Sequence, residues 1–408
     1  MNDNHNHYFL FLDALRSDHL KYMPWLNSKI KKGTFIENFE VSSGFCERAE
    51  IFFSKNPSTT NLLNAIEINS KKNNTNKPFF WLNGFTVSVL QLLEKNKFFQ
   101  KIVRRVLWNI SFKLSSIGMY PQRIPLSILN KVTLTEDSID FEDYAKESKH
   151  GLLYNIIKRG YKINWEYFTS LSSQLKGNDF DRLNLLKKKI SLYKKNFIPI
   201  YIALPDQLGH KFGPHSNEII RGLKSLDKEL KVFFEHCIDD NMHSKISFLG
   251  DHGMEEVIDS IDVEKIIRSF SKKLKIKPNV DFYYFLDSTM LRIWWKNNSK
   301  SKFRTLFNEL KNHQILNNAG YFINDKDFND EGIPKLKNIA DIVWWAKKGI
   351  IISPDYFHGY DKPKKGMHGY LKRDNISSGF FLTLNDKNNN YKYFNKLDSI
   401  NLLKVLRI

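Results

Sequence analysis

The strongest regularity along the chain is a set of three short apolar runs, each ending on an acidic residue. Tyr8–Leu12 leads into Asp13, Ile198–Leu204 into Asp206, and Ile246–Leu249 into Asp251. Runs of this length, rich in aromatic and β-branched side chains and lacking polar alternation, suit strands buried on both faces, as in a parallel sheet. Each is followed by polar, glycine-containing sequence. In open α/β sheets ligands bind beyond the carboxyl ends of the strands, which is where these three aspartates would gather. Between the second and third runs, Asn217 to Cys237 sets Ile219, Leu223, Leu226, Leu230 and Phe233 at helical spacing. That is the pattern of an amphipathic crossover packed on the sheet, with Cys237 closing it as a core residue.

Two regions read as insertions into a single domain spanning residues 1–408. Residues 79–123 form an apolar-basic helical insertion, dense in aromatics, Leu, Lys and Arg. Residues 270–338 form a smaller insertion or cap subdomain, mixing strand-like Phe282–Phe285 and Met290–Trp295 with Lys-rich helix. The Asn-rich tracts Asn73–Asn76 and Asn385–Asn390 read as loops. A chain of 408 residues, 41% hydrophobic, has enough apolar material for a large α/β core.

Composition changes this picture only slightly. The net charge of +19 and pI near 9.5 invite a polyanionic partner. The charge is nevertheless spread through the chain, and no nucleic-acid motif accompanies it. A solvated basic surface and no nucleic-acid partner are therefore expected. Cys46 and Cys237 are the two cysteines, too few for a disulfide framework, and they fit a reducing, cytoplasmic compartment. The apolar start at His7–Leu12 is too short for a signal sequence and lacks a basic lead, and Pro78 to Leu93 falls short of a membrane span.

The candidate chemistry sits just past the apolar runs. In Asp206-Gln207-Leu208-Gly209-His210-Lys211-Phe212-Gly213-Pro214 a carboxylate and an imidazole four residues apart can turn onto one cation, the glycines permitting a tight loop. Gly250-Asp251-His252-Gly253-Met254 offers an adjacent oxygen and nitrogen donor. Gly366-Met367-His368-Gly369-Tyr370 supplies a glycine-bracketed histidine, and Asp13 is followed closely by Arg16. His5, His7, His19, His215 and His358 read as surface or supporting residues. Asp355 and Tyr356, after a Gly349–Ile352 strand, are placed for the pocket wall.

Taken together, and in this order, the motifs D-x-x-G-H-x-x-G-P, D-H-G-M and H-G-Y resemble those of the nucleotide pyrophosphatase/phosphodiesterase branch of the alkaline phosphatase superfamily. The resemblance runs from Asp13 to Tyr370, outside the two insertions. It implies two divalent cations, zinc by their oxygen and nitrogen donors, bridged by the substrate phosphate. Asp206, His210 and His368 would hold one ion; Asp13, Asp251 and His252 would hold the other together with the nucleophile. It also implies a three-layer α/β/α sandwich with a mostly parallel central sheet.

The nucleophile departs from the family pattern. Where a Thr or Ser is usual, this chain reads Val41-Ser42-Ser43-Gly44-Phe45-Cys46-Glu47-Arg48. Counting forward from Gly33 selects Cys46, whose thiol beside zinc and ahead of a helix would ionise; counting back from Pro57 falls near Gly44, which keeps Ser43, and less directly Ser42, as the hydroxyl alternatives. Arg16 and Arg48 are candidates to bind phosphate oxygens. The reading is a phosphodiesterase or nucleotide pyrophosphatase-like hydrolase acting through a covalent phospho-enzyme. A phosphomonoesterase, a phosphoethanolamine-type transferase, a sulfatase or a metal-retaining pseudoenzyme on the same core are its rivals. The substrate would be a small phosphate ester or a lipid-linked one, the latter if residues 79–123 make peripheral membrane contact.

Overall fold

The computed structural model describes residues 5–68, 77–115, 117–168, 178–189, 195–239, 243–296, 298–358, 363–385 and 391–406. The Asn73–Asn76 tract and residues 386–390 of the second Asn-rich tract lie outside them.

Among the described residues the first seven strands are β1 (His5–Leu12), β2 (Thr34–Glu40), β3 (Ile66–Ile68), β4 (Val132–Leu134), β5 (Lys162–Ile163), β6 (Asn196–Ile202) and β7 (His243–Gly250). Among the described residues the central sheet has seven strands, in the order Lys392–Asp398, β2, Gly379–Asn385, β7, β1, β6, β5. All run in one direction except Gly379–Asn385, which is antiparallel to both of its neighbours. The expected α/β/α sandwich with a mostly parallel sheet is the observed fold.

The unbroken apolar run of β1 follows from its central position. Tyr8, Leu10 and Leu12 face one core, Phe9 and Phe11 the other, and all five are fully buried. On the first side lies the Asn217–Asp239 helix, burying Ile219, Leu223, Leu226, Leu230 and Phe233. On the second side lies the Glu47–Phe53 helix, with Ile51, Phe52 and Phe53, backed by Leu152, Leu153 and Ile156.

A second, antiparallel sheet pairs Phe282–Leu286, Met290–Trp295, Ile342–Ala346 and Gly320–Phe322 in that order. It shares one apolar cluster with Phe79, Leu82, Val103 and Leu107, so the 79–123 segment packs on this second sheet. That segment carries a helical hairpin, Gly84–Glu94 and Lys97–Leu114. Its chain leaves and rejoins the body through the β3–β4 ribbon.

Candidate metal centre

β1, β6 and β7 are neighbours pointing the same way, so their carboxyl ends open on one cleft of about 350 Å³. Asp13 follows β1 directly. Ala14 then takes a left-handed φ of 57°, and its N–H turns back to Asp251 Oδ1 at 3.2 Å. Asp251 and His252 follow β7, and the same Oδ1 accepts from the His252 N–H at 3.0 Å. Asp206 and His210 do not sit on the tight loop expected for them. They occupy the Leu204–Phe212 helix, where four-residue spacing sets both on one face. Gly209 lies between them because Met254 packs there, with side-chain atoms 3.1 Å from where a Cβ would stand.

Three groups of side chains converge on the cleft floor. Asp206, His210 and His368 form one, Asp13, Asp251 and His252 a second, and Glu47, His252 and His368 a third, with donor atoms in each within 4.8 Å of one another. His210 Nε2 lies 3.0 Å and His368 Nε2 3.6 Å from Asp206 Oδ1. His252 Nε2 lies 3.2 Å from Asp13 Oδ1 and 3.8 Å from Asp251 Oδ1. The His252 and His368 rings stack at 4.1 Å, joining the groups into one centre. Gly369 allows this: at φ 77°, a Cβ there would lie 2.2 Å from the Phe45 ring that sits edge-on to His368.

The donor set fits divalent cations. His210 Nδ1 is 2.8 Å from Gly366 O, and His252 Nδ1 is 2.9 Å from Gly253 O. A carbonyl only accepts, so each Nδ1 carries a proton and each Nε2 is directed at a carboxylate, the arrangement of a metal-ligating histidine with its supporting hydrogen bond. Five acidic side chains, Asp13, Glu47, Asp206, Asp251 and Asp287, line the cleft, and burial of their charge is costly unless a cation meets it. Burial, then the charge of Asp206, pushes Asp13 up to about 7, and burial pushes Glu47 up to about 8. Burial would also raise Asp206, but His210, His368 and His252 outweigh it and hold that carboxyl below its usual range. Burial disfavours charge on His252, yet Asp251, Asp13 and Glu47 outweigh it and raise it well above normal. Burial, then the charge of His252, depresses His368.

The expected nucleophiles are not brought to the cleft. Cys46 is 3% exposed and sits among Phe9, Phe11 and Ile51. Burial, then the negative charge of Glu136, pushes its thiol well above the ordinary range, opposite to the activated thiolate expected. Ser43 is buried, donating through Oγ to Glu331 Oε2 at 2.7 Å and accepting from Lys372 N. Ser42 is buried too, its N–H held by the Glu50 carboxylate. Glu47 enters the cleft instead, as first residue of the Glu47–Phe53 helix. The helix start turns Cys46 inward and its successor toward the cleft.

The arginines are already engaged. Arg16 donates to Met254 O and to Asp18, both at 2.8 Å, and does not line the cleft. Arg48 lines it, but Glu136 holds its guanidinium at 2.7 and 2.5 Å. Among the supporting residues, Tyr201 donates to Asp13 Oδ2 at 2.5 Å. Asp355 and Tyr356 stand behind the wall, while His358 lines it, its Nδ1 near Asp355 Oδ2 and Ser288 Oγ, each at 2.9 Å. His7 is buried against Ser247, and His215 is exposed.

The profile of a family described as type I phosphodiesterase / nucleotide pyrophosphatase matches residues 67–371. Venom phosphodiesterase 2 of Crotalus adamanteus is 30% identical over 243 residues, 56% of this chain and 28% of that protein. Mouse ectonucleotide pyrophosphatase/phosphodiesterase family member 3 is 29% identical over 94 residues, 22% of this chain and 10% of that one. The chain thus spans less than a third of the length of the curated relatives it matches. Among solved structures, an inactive form of murine ectonucleotide pyrophosphatase/phosphodiesterase 5 in complex with AMP superposes with a TM-score of 0.63, at 15% identity over 98% of this chain and 93% of the other.

Proposed function

The chain belongs to the type I phosphodiesterase / nucleotide pyrophosphatase family, and from that premise we propose that it hydrolyses a phosphodiester or pyrophosphate bond at two zinc ions. One observation carries the reading: two ligand triads, Asp206-His210-His368 and Asp13-Asp251-His252, share one cleft floor through the stacked His252 and His368 rings. When bound, two such ions supply Lewis acidity to the phosphate and leaving-group oxygens.

Glu47 carries the protein's own part of the chemistry. It stands at the helix start where the family pattern has a hydroxyl, its carboxylate grouped with His252 and His368. Water attacks phosphorus as the ester P–O bond breaks. One water proton passes to Glu47, and the alcohol or phosphate leaves with the bonding pair, giving a phosphate monoester. The covalent route through Cys46 or Ser43 gives way to this single displacement because neither side chain reaches the cleft. A formylglycine at Cys46, as a sulfatase would need, loses its support for the same reason. Phe45 and Phe357 give the cleft two aromatic walls for a base or an apolar alcohol, consistent with AMP in the structural neighbour.

Elemental analysis of the purified protein should find two zinc ions per chain. Bis-p-nitrophenyl phosphate should turn over faster than p-nitrophenyl phosphate, and a chiral substrate should react with inversion at phosphorus. Glu47→Gln should lower kcat about a hundredfold or more while both ions stay bound. Retention at phosphorus, or a phosphorylated protein trapped by acid quench, would overturn the single-step route. Two bound ions without any turnover would make the protein a metal-retaining binder.

A further inference from the structure

The helical hairpin Gly84–Glu94 and Lys97–Leu114 presents its apolar side chains outward. Phe85 is 80% exposed, Leu92 65% and Phe98 69%, with Val89, Ile102 and Val106 each more than 40% exposed. The spacing makes this a surface. Phe85, Val89 and Leu92 recur every three to four residues on the first helix, and Phe98, Ile102 and Val106 every four on the second, so each set forms one stripe. The second helix buries a different stripe, Val103 and Leu107, against the protein. The first helix rests its partly buried Val87 and Leu90 against the same cluster, so both helices have their own core contact and still leave these apolar side chains to water.

Charge identifies what covers it. Residues 84–114 hold six basic side chains (Lys95, Lys97, Lys101, Arg104, Arg105 and Lys113) and one acidic one, Glu94. Glu94 is already paired, holding Arg104 at 2.5 Å across the hairpin. Lys101 and Arg105 stand one position before Ile102 and Val106, along the edge of the apolar stripe, and both are exposed. A second copy of the chain would bring the same positive field against itself. An anionic lipid surface meets the apolar stripe with acyl chains and the basic edge with headgroups. No helix among the described residues is long and apolar enough to cross a membrane, so the hairpin lies on the surface.

We propose that this hairpin docks the protein on anionic membranes. The cleft lies close to the root of the insertion: Ala65, the residue before β3, lines the cleft, and the hairpin rises from the β3–β4 ribbon. Met367, on the cleft wall, belongs to the same apolar cluster as Val103 and Leu107. Docking would therefore hold the phosphate-binding floor beside a lipid surface, favouring phosphate esters carried there. This rests on the hydrolase reading only for the substrate; the docking itself is independent of turnover.

Co-sedimentation tests it with the full chain and two kinds of vesicle, phosphatidylserine–phosphatidylcholine and phosphatidylcholine alone. The protein should pellet with the first at low salt, much less with the second, and be released by salt. Phe85→Ser with Phe98→Ser should weaken partitioning about tenfold or more. Lys101→Gln and Arg105→Gln should each weaken it roughly fivefold. All these positions are exposed, so the melting curve and turnover of soluble bis-p-nitrophenyl phosphate should match wild type. Protein that stays in the supernatant with anionic vesicles at low salt overturns the proposal. So does equal binding by wild type and the Phe pair. A concentration-dependent dimer abolished by the Phe pair would also overturn it and assign the face to a second copy.

Discussion

His19 is buried after β1, its Nε2 2.9 Å from Pro214 O and its ring beside Tyr22. Burial, opposed in part by Asp18, takes it from an ordinary 6.5 down to about 4. A base depressed in the folded state binds its proton more readily when unfolded. Its contribution is therefore complete above pH 6.5 and lost as pH falls toward 4, by about 3 kcal/mol. His19→Gln retains a donor for Pro214 O and cannot titrate. The stability gap between the two proteins, measured by denaturant unfolding, should shift by that amount against wild type between pH 6.5 and 4; a constant gap would refute the argument. At this scale the sequence anticipated which acidic side chains meet in the cleft, because each of Asp13, Asp206 and Asp251 follows an apolar run that a sheet must bury. Glu47 was harder to see. Its place in the cleft depends on which way one helix start faces, a property set by packing against Phe11 and Phe52 rather than by spacing, although an acidic Glu47 with Glu50 was a readable sign of a helix start there. The engaged states of Arg16 and Arg48 likewise depend on Met254, Asp18 and Glu136, whose positions no local pattern encodes.

The elements meet at buried polar joints, and Arg292 is one of them. It lies in the Met290–Trp295 strand, 1% exposed, with Nη2 2.9 Å from Asp287 Oδ2 and 2.7 Å from Ile66 O at the head of β3. It therefore ties the second sheet to the root of the 79–123 segment, beside a carboxylate that lines the cleft. Breaking one partner of a buried pair leaves the other charge unmet, so Arg292→Met should cost about 3–5 kcal/mol. Adding Asp287→Asn should restore a large part, since the stranded carboxylate is then gone; thermal unfolding of the single and double variants measures the difference. No recovery in the double variant would show that packing, not charge, is what Arg292 supplies. Elements with strong periodicity were legible: the Asn217–Asp239 helix buries the five residues expected of it. The Thr34–Glu40, Gly379–Asn385 and Lys392–Asp398 strands were not, because they lie toward one side of the sheet, the first of mixed burial and the last largely exposed, and owe their conformation to pairing with distant chain. The Asp206–His210 segment was expected as a loop on account of its glycine. The Met254 contact that favours Gly209 is tertiary, and the helix tolerates it.

The molecule as a whole carries a net charge of +19, yet it gathers Asp13, Asp206, Asp251 and Glu47 into one cleft. The three motifs that identified the family were readable because they lie at the ends of strands. The second sheet was readable only in part: strands at Phe282–Phe285 and Met290–Trp295 were expected, whereas Gly320–Phe322 and Ile342–Ala346 join them from far along the chain. The concentrated negative charge has a consequence for the stability of the entire fold. A ligand that binds only the folded chain stabilises it by mass action, about 2.7 kcal/mol per site at a hundredfold excess over Kd. With an unfolding entropy proportional to chain length, two sites correspond to roughly 6 °C in Tm. Chelation should lower Tm by that order and zinc should restore it. His368→Ala should remove the part belonging to the Asp206 group, and His252→Ala the part belonging to the Asp13 group, each showing in elemental analysis as one ion lost. Asp13→Asn separates cation binding from simple packing, because the amide oxygen can still accept from Tyr201. In chelator this variant should melt no lower than wild type, having shed a buried charge that Asp206 repels, and in zinc it should melt lower. If chelation leaves the wild-type Tm unchanged, the acidic cleft is stabilised by its own histidines, and the two-cation reading of the centre fails with it.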